Sequence, residues 1–349
     1  MGIPQQVLAA YGLTGSDTVI KAFGTGLINH TWTVEQQGKK YILQRINTHV
    51  FTEPEAIADN ISRIAAYLAE QAPDYFFVAP VVARNGRQLI TIAGDQGGSF
   101  RLFPFVPGSH SKAVATSAAQ AFEAARQFGK FTRLLAGFDA RSLHATIPGF
   151  HDLSLRYRQF QQALETGNAD RIRESAELID YLEAASHLVD RYVAIQQDIH
   201  FKVRVTHHDT KISNVLFNDA DKALCVIDLD TVMPGHFISD VGDMMRTYLP
   251  TVSEEEQDFS RIDLREDMYH AIVEGYQLEM GEELSSREKQ AFFYAGQFMI
   301  YMQAIRFLAD HINNDTYYGA RYPGHNYVRA GNQVVLLQKL NALQQKLDR

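Results

Sequence analysis

The sequence predicts an α+β fold in two lobes, a β-rich N-lobe over residues 1–107 and a mostly helical C-lobe over residues 108–349. Three observations carry that expectation. Alternating β-branched and aromatic segments separated by glycine turns fill residues 18–46, the pattern of a half-buried sheet. After Pro107-Gly108 the pattern changes to apolar residues at helical spacing. One stretch of the helical half breaks that rule. VTHHDTKISNVLFNDADKALCVIDLD, residues 205–230, sets histidines, lysines, asparagines and aspartates between short apolar runs.

The elements follow in order. TVIKAF, HTWTVEQ and GKKYILQRI read as strands around the GTGLIN turn. TEPEAIADNISRIAAYLAEQ places Ile57, Ile61, Ile64 and Leu68 on one helical face, with Thr52 as the N-cap and Pro54 in the first turn. Strands return at YFFVAPVVA, RQLITIA and SFRLFPFVPG, which makes the N-lobe a small antiparallel sheet with one helix. Residues 103–108 form the hinge. SAAQAFEAARQFGKFTRLLAG then reads as an amphipathic helix ended by Gly137. Helical patterns fill 152–198, 265–280, 286–311 and 330–348, and short strands fill 203–230. Ligand sites favour clefts between such lobes.

Composition narrows the function. The net charge of −8 argues against a nucleic-acid surface, which needs clustered Lys and Arg. The single Cys225 excludes an intramolecular disulfide and a cysteine-built metal site, and fits a reducing compartment. No window approaches the length of apolar residues that spans a membrane, and the start lacks the features of a signal peptide. The expectation is a cytoplasmic chain that meets small molecules and neither nucleic acid nor membrane.

Buried strands tolerate aspartates only where something balances their charge. His207-x-Asp209-x-x-x-x-Asn214, followed by Asp228 at the end of the next apolar run, has a mechanical reading. In protein kinases an Asp in this setting accepts the substrate hydroxyl proton. The Asn five residues on and an Asp of the next strand hold magnesium against the nucleotide phosphates. Oxygen donors favour such a hard cation over zinc. The alternative is a plain turn at Asp209–Asn214 with Asp228 capping the next loop. The flanking VRV, VLF and VIDLD segments favour the site.

THHDTKISNVLF, VIDLDTVMPG and SDVGDMMR resemble the aminoglycoside phosphotransferase and choline kinase superfamily, which has a protein-kinase-like two-lobed fold. GLINHTW, YILQRIN, VTHHDTK and the C-terminal RFLAD and YGARYPGHNYVR resemble, within it, the bacterial N-acetylhexosamine 1-kinases. The resemblance implies ATP and Mg²⁺ as cosubstrate and cofactor, and transfer of phosphate to the anomeric hydroxyl of an N-acetylhexosamine. It implies Asp209 as catalytic base, Asn214 and Asp228 as metal ligands, and His207 and Asp240 as supports of the catalytic loop. Gly24 and Gly26 would lie in the hairpin over the nucleotide, Phe103 and Phe105 would wall the adenine, and Asn29, His30, Arg306 and Tyr317 would meet sugar or phosphate. Buried aromatic packing for the phenylalanines and an i,i+4 surface pair for Arg306 and Asp310 remain open alternatives. Lys211 either reaches a phosphate or is solvated, and Asp230 either assists the site or caps a turn. His208 stands where many protein kinases carry the Arg that meets a phosphorylated activation loop, so no such switch is expected.

One departure matters. Gln44 stands where the phosphate-pairing Lys of a kinase aligns. The N-acetylhexosamine kinases resemble this chain in that respect, so Gln44 is retained as a nucleotide-site residue. The competing functions are a kinase of another small alcohol, such as an amino alcohol, homoserine or an aminoglycoside, and a nucleotide-binding pseudokinase.

Overall fold

The computed structural model describes residues 3–24, 28–94 and 97–347. A short helix α1 (Gln5–Ala10) leads into strands β1 (Val19–Ala22), β2 (His30–Gln36) and β3 (Lys39–Arg45). Helix α2 (Pro54–Gln71) follows, then β4 (Leu89–Ile92) and β5 (Gly98–Pro104). The five strands form one antiparallel sheet in the order β1-β2-β3-β5-β4. Gln37 and Gly38 join β2 to β3, both at positive φ (52° and 71°), which is the two-residue turn whose twist matches a hairpin. Val34, Leu43, Phe100 and Leu102 pack under the sheet against Val7 and Leu13.

Helix α2 begins with Pro54 at its first turn, but Glu53 occupies the N-cap position and no side chain caps the helix. Thr52 is therefore not the cap. The isoleucine face of α2 joins the larger cluster of the C-terminal half rather than the sheet's own core. Residues 75–83 do not form the expected strand. Pro80 interrupts the run without an N–H to give, and the segment makes isolated backbone bonds, among them Val81 N–H to the Leu102 carbonyl (2.7 Å) and Ala83 N–H to the Arg87 carbonyl (2.8 Å), in place of a ladder.

Beyond the sheet lie α3 (Ala118–Leu134), α4 (Leu153–Thr166), α5 (Ala169–Glu174), α6 (Ala176–Ala184) and α7 (His187–Gln197). Helix α3 ends at Leu134 with Leu135 as its cap, before the expected stop at Gly137. Short strands β6 (Arg204–Thr206), β7 (Val215–Phe217), β8 (Ala223–Val226) and β9 (Met233–Gly235) pair as β6-β9 and β7-β8. Then come α8 (Phe237–Tyr248), α9 (Glu266–Met280), α10 (Ser286–Lys289), α11 (Phe292–Ile312) and α12 (His325–Leu347). Helix α9 lies close along α3 because glycine permits it. A Cβ on Gly275 would stand 2.4 Å from the Phe122 carbonyl oxygen. Helix α11 is the axis of the helical half. Every residue of it is buried except Phe293 and Arg306. Among the described residues no helix is long and apolar enough to cross a membrane.

Candidate active site

Three segments converge beneath the sheet: the loop after β6, the loop after β8, and the start of α8. The backbone of the loop after β6 is held by α8. Asp240 accepts from the His207 N–H (3.0 Å) and the His208 N–H (2.7 Å), and Asp243 accepts from the Thr210 N–H (2.8 Å). His208 has φ of 65°, an uncommon conformation for a side chain-bearing residue, which those bonds stabilise. Burial raises Asp240 to about 7, against the pull of its two backbone donors. His207 is fully buried, with its ring against the Phe128 edge and its Nε2 on the Ile227 carbonyl (3.0 Å). It thereby ties the loop after β6 to the strand that precedes Asp228.

Asp209 is oriented on both oxygens. Lys211 Nζ lies 3.0 Å from its Oδ1, and Asn214 Nδ2 donates to its Oδ2 at 3.0 Å. Burial pushes the Asp209 carboxyl up, but the Lys211 ammonium, His207 and the two side-chain bonds outweigh it and hold the group below the usual carboxylate range. Asp209 is thus ionised and aimed. Asn214 spends its amide N–H₂ on Asp209, which leaves Oδ1 for a cation.

Asp228 sits at left-handed φ (60°), one residue before the turn Leu229–Thr231. Its carboxylate opens onto the cleft but has protein on most sides. The surrounding protein and the nearby charges of Asp230 and Asp209 raise it above the usual carboxylate range. Among the described residues it has no hydrogen-bond donor. A carboxylate open to the cleft beside two others, with an amide oxygen nearby, fits an oxygen-donor cation site.

Above these groups a cavity of about 240 Å³ is walled by Phe23, Ile42, Val78, Phe103, Phe105, Leu216 and Ile227. Its polar end carries Thr31, Gln44, Arg101, Asn214 and Asp228. The cavity thus brings Gln44, Phe103, Phe105, Asn214 and Asp228 together. Gly24 has φ of 76°, a backbone that favours glycine, and open space where a Cβ would stand. Gly26 lies outside the described residues. Asn29 is engaged by protein groups: its Nδ2 donates to Asp230 (2.8 Å) and its Oδ1 accepts from the Asn47 N–H (3.0 Å). His30 faces away from the cavity that Thr31 lines, and its ring tilts against Trp32. The strand's alternation puts neighbours on opposite faces, so Thr31 takes the inward position that the sequence reading gave to His30.

A second pocket of about 490 Å³ is lined by Arg156, Arg158, Gln159, Gln162, Arg306, Asp310, Tyr317 and Tyr318, among others. Arg306 and Tyr317 are brought together there, the guanidinium 5.9 Å from the ring centre. Asp310 is not free for a ligand, because it accepts from the Tyr317 and Tyr318 N–H groups (2.7 and 2.9 Å) and from Asn326 (3.1 Å). A stack of rings links this pocket to the loop after β6. Arg306 lies 6.0 Å from the Phe150 ring, Phe150 stacks on His151 at 4.3 Å, and His151 meets His208 at 5.2 Å.

Sequence reasoning missed Arg101, which is buried beside Asp230, and Asn60 of α2, which donates to the Val232 and His144 carbonyls (3.1 and 2.9 Å). A lone Arg inside an aromatic strand was the available signal for the first. Asn60 interrupts the apolar face of α2, the signal for the second.

Solved structures similar to this chain share its fold. A microcompartment-associated aminopropanol kinase aligns with TM-score 0.60 and 18% identity, over 99% of this chain and 97% of that one. An amicoumacin kinase, solved with AMP-PNP, Ca²⁺ and its ligand, gives 0.63 and 15% over 97% and 95%. A choline kinase from Cryptosporidium parvum Iowa II gives 0.55 and 13% over 96% and 92%. The β-rich half followed by a helical half is the protein-kinase-like arrangement of such enzymes. The family model described as phosphotransferase enzyme family matches residues 19–279, more than half of the chain. An oriented carboxylate beside an amide and a second carboxylate suits phosphoryl transfer on such a fold, and the chain belongs to the phosphotransferase enzyme family.

Proposed function

We propose that this enzyme uses ATP and Mg²⁺ to phosphorylate the anomeric hydroxyl of an N-acetylhexosamine, giving the sugar 1-phosphate. The adenine lies between Phe103, Phe105 and Ile42, and the phosphates reach toward Asn214 and Asp228. Bound there, Mg²⁺ neutralises charge on the phosphates. Asp209 takes the hydroxyl proton of the acceptor. A carboxylate held below its usual range suffices for this, because the transition state of phosphoryl transfer is loose and proton transfer is late. Lys211 keeps Asp209 ionised and Asn214 fixes its direction.

The observation that carries the acceptor class is the charge of the second pocket. Arg306, Arg156 and Arg158 face it, and its carboxylate, Asp310, is consumed by the 317–318 backbone and Asn326. An ammonium acceptor meets repulsion there. A neutral sugar offers hydroxyl and acetamide oxygens to guanidinium and phenol donors. This favours the sugar over the amino-alcohol and aminoglycoside readings. The complete set of Asp209, Asn214 and Asp228 favours catalysis over the pseudokinase reading.

ADP release across a panel of free N-acetylhexosamines, hexoses, choline, aminopropanol and an aminoglycoside tests this. N-acetylhexosamines should turn over fastest. The product should show ³¹P–¹H coupling to the anomeric proton, and 1-O-methyl glycosides should be inert. Turnover of the amines alone, or coupling to the C6 protons, refutes the assignment.

A further inference from the structure

We propose that Arg101 on β5 is the cation that grips the nucleotide phosphates, in the role that kinases usually give to a lysine one strand earlier. The inference deepens the nucleotide-site reading above and rests on it.

The β3 position where that lysine aligns is Gln44, which carries no charge. Strand register sets Gln44 directly opposite Arg101, so the two side chains leave the sheet on the same face. They are joined. Gln44 Oε1 accepts from Arg101 Nε at 3.0 Å and from Nη2 at 2.8 Å. A lysine at position 44 would face the guanidinium donor to donor, whereas the glutamine carbonyl accepts from it. The neutral residue on β3 and the arginine on β5 are therefore a single exchange, in which the charge has moved across by one strand.

The guanidinium is also aimed. It lies 5.1 Å from the ring centre of Phe103, an aromatic wall of the cavity. Its Nη1 stands 2.5 Å from Asp230 Oδ1 but lacks the direction of a hydrogen bond, and both atoms are otherwise unpartnered. Arg101 is 3% exposed, yet it lines the cavity together with Asn214 and Asp228. A purely structural role explains this poorly. A buried ion pair contributes little net stability over an apolar pair of similar volume, and this one leaves a donor imperfectly used at the wall of a ligand cavity. An anion with several oxygens supplies what Nη1 lacks, and the planar fork of an arginine suits phosphate. Charge balance agrees. Asp209, Asp228 and Asp230 outnumber Lys211 and Arg101 around this end of the cleft, so a polyphosphate arriving with one divalent cation meets net positive charge only if Arg101 is present.

Calorimetric titration of the full-length protein with ADP and with adenosine, both in Mg²⁺, tests the role. The variants are Arg101→Met and the double variant Arg101→Met/Asp230→Asn, which removes the carboxylate that the single change leaves unpaired. Loss of a charge-assisted contact to phosphate should weaken ADP roughly ten- to hundredfold in both variants while adenosine stays within about twofold of wild type. ADP affinity within about twofold of wild type in the double variant overturns the proposal. An equal fall for ADP and adenosine also overturns it, because it marks a structural role. If wild type binds adenosine and ADP alike or neither, the nucleotide-site reading falls with it. A wild type that prefers ADP, with variants that keep the preference, sinks Arg101 alone.

Discussion

Asp209→Asn is the sharpest probe of the chemistry, and its cost divides into two parts. The first is catalytic. Asparagine cannot take the acceptor proton, and loss of a general base lowers kcat by roughly 10²- to 10⁴-fold, which is about 3–5 kcal/mol of barrier. The second is positional. In the wild type, Oδ1 meets the Lys211 ammonium and Oδ2 accepts from Asn214, both at 3.0 Å. An amide has one oxygen for these two donors, so its own N–H₂ must face the other. That mismatch costs about 1–3 kcal/mol locally. Loss of the half-exposed Lys211 pair adds no more than about 1 kcal/mol. The fold and the nucleotide cavity are not engaged by either oxygen. The variant should therefore melt a few degrees low, bind ADP like wild type, and turn over at least 100-fold more slowly. Calorimetric ADP titration and single-turnover rates at saturating acceptor check both halves. A variant that retains more than about a tenth of wild-type kcat shows that Asp209 is not the base.

The other predictions concern metal, acceptor, pH and packing. Asp228→Ala should abolish the saturable Mg²⁺ dependence of ADP binding in a metal titration; an unchanged dependence moves the ligand role to Asp230. Arg306→Ala should raise the acceptor KM roughly tenfold or more and leave the ATP KM unchanged, since its contacts are with Tyr317, Tyr318 and Phe150; a shift in ATP KM alone counts against it. His208 is buried and falls from an ordinary 6.5 to about 4. Between those values the unfolded chain takes up a proton that the folded one refuses, so this group's contribution to stability is present above pH 6.5 and declines as pH falls. The loss amounts to about 3 kcal/mol by pH 4. His208→Asn keeps a residue suited to positive φ and should flatten the melting temperature against pH across that window; an equally steep profile refutes the assignment. Gly275→Ala places its Cβ 2.4 Å from the Phe122 carbonyl oxygen and should lower stability by about 1–3 kcal/mol in urea, despite the better helix propensity of alanine.

What the sequence made legible was what is local along it. The spacing of His207, Asp209 and Asn214 lies within one loop, and Asp228 follows on the adjoining strand, so their convergence needed no knowledge of the rest of the fold. Arg306 and Tyr317 were named from the family resemblance, and a helix and its following loop bring them together. Arg101 was not, because its meaning depends on its register against Gln44 and on Asp230 in the other half of the chain. His30 shows the limit of alternation, which says that neighbours point to opposite faces but not which face is inside. Helix α8 went unread because its acidic residues, Asp240 and Asp243, point inward to the catalytic-loop N–H groups. A pattern search expects apolar residues on that side. The segment 75–83 has the composition of a strand, but its proline limits it to an isolated bond from Val81 to Leu102 of β5 and no ladder forms.

On the proposed function, the burial of α11 has a consequence for how acceptor choice diversifies. Arg306 projects from a helix whose other residues, Phe293 aside, are locked in the core, so its position cannot be tuned by shifting its backbone without disturbing the packing of α4, α8 and α12 around it. The opposite wall is cheaper to change. It comes from the outer face of α4, at residues 156–162, and from the loop after α11, at residues 313–318. If the proposed function holds, divergence or laboratory selection toward new acceptors should therefore keep Arg306 and accumulate substitutions and length changes in those two surfaces.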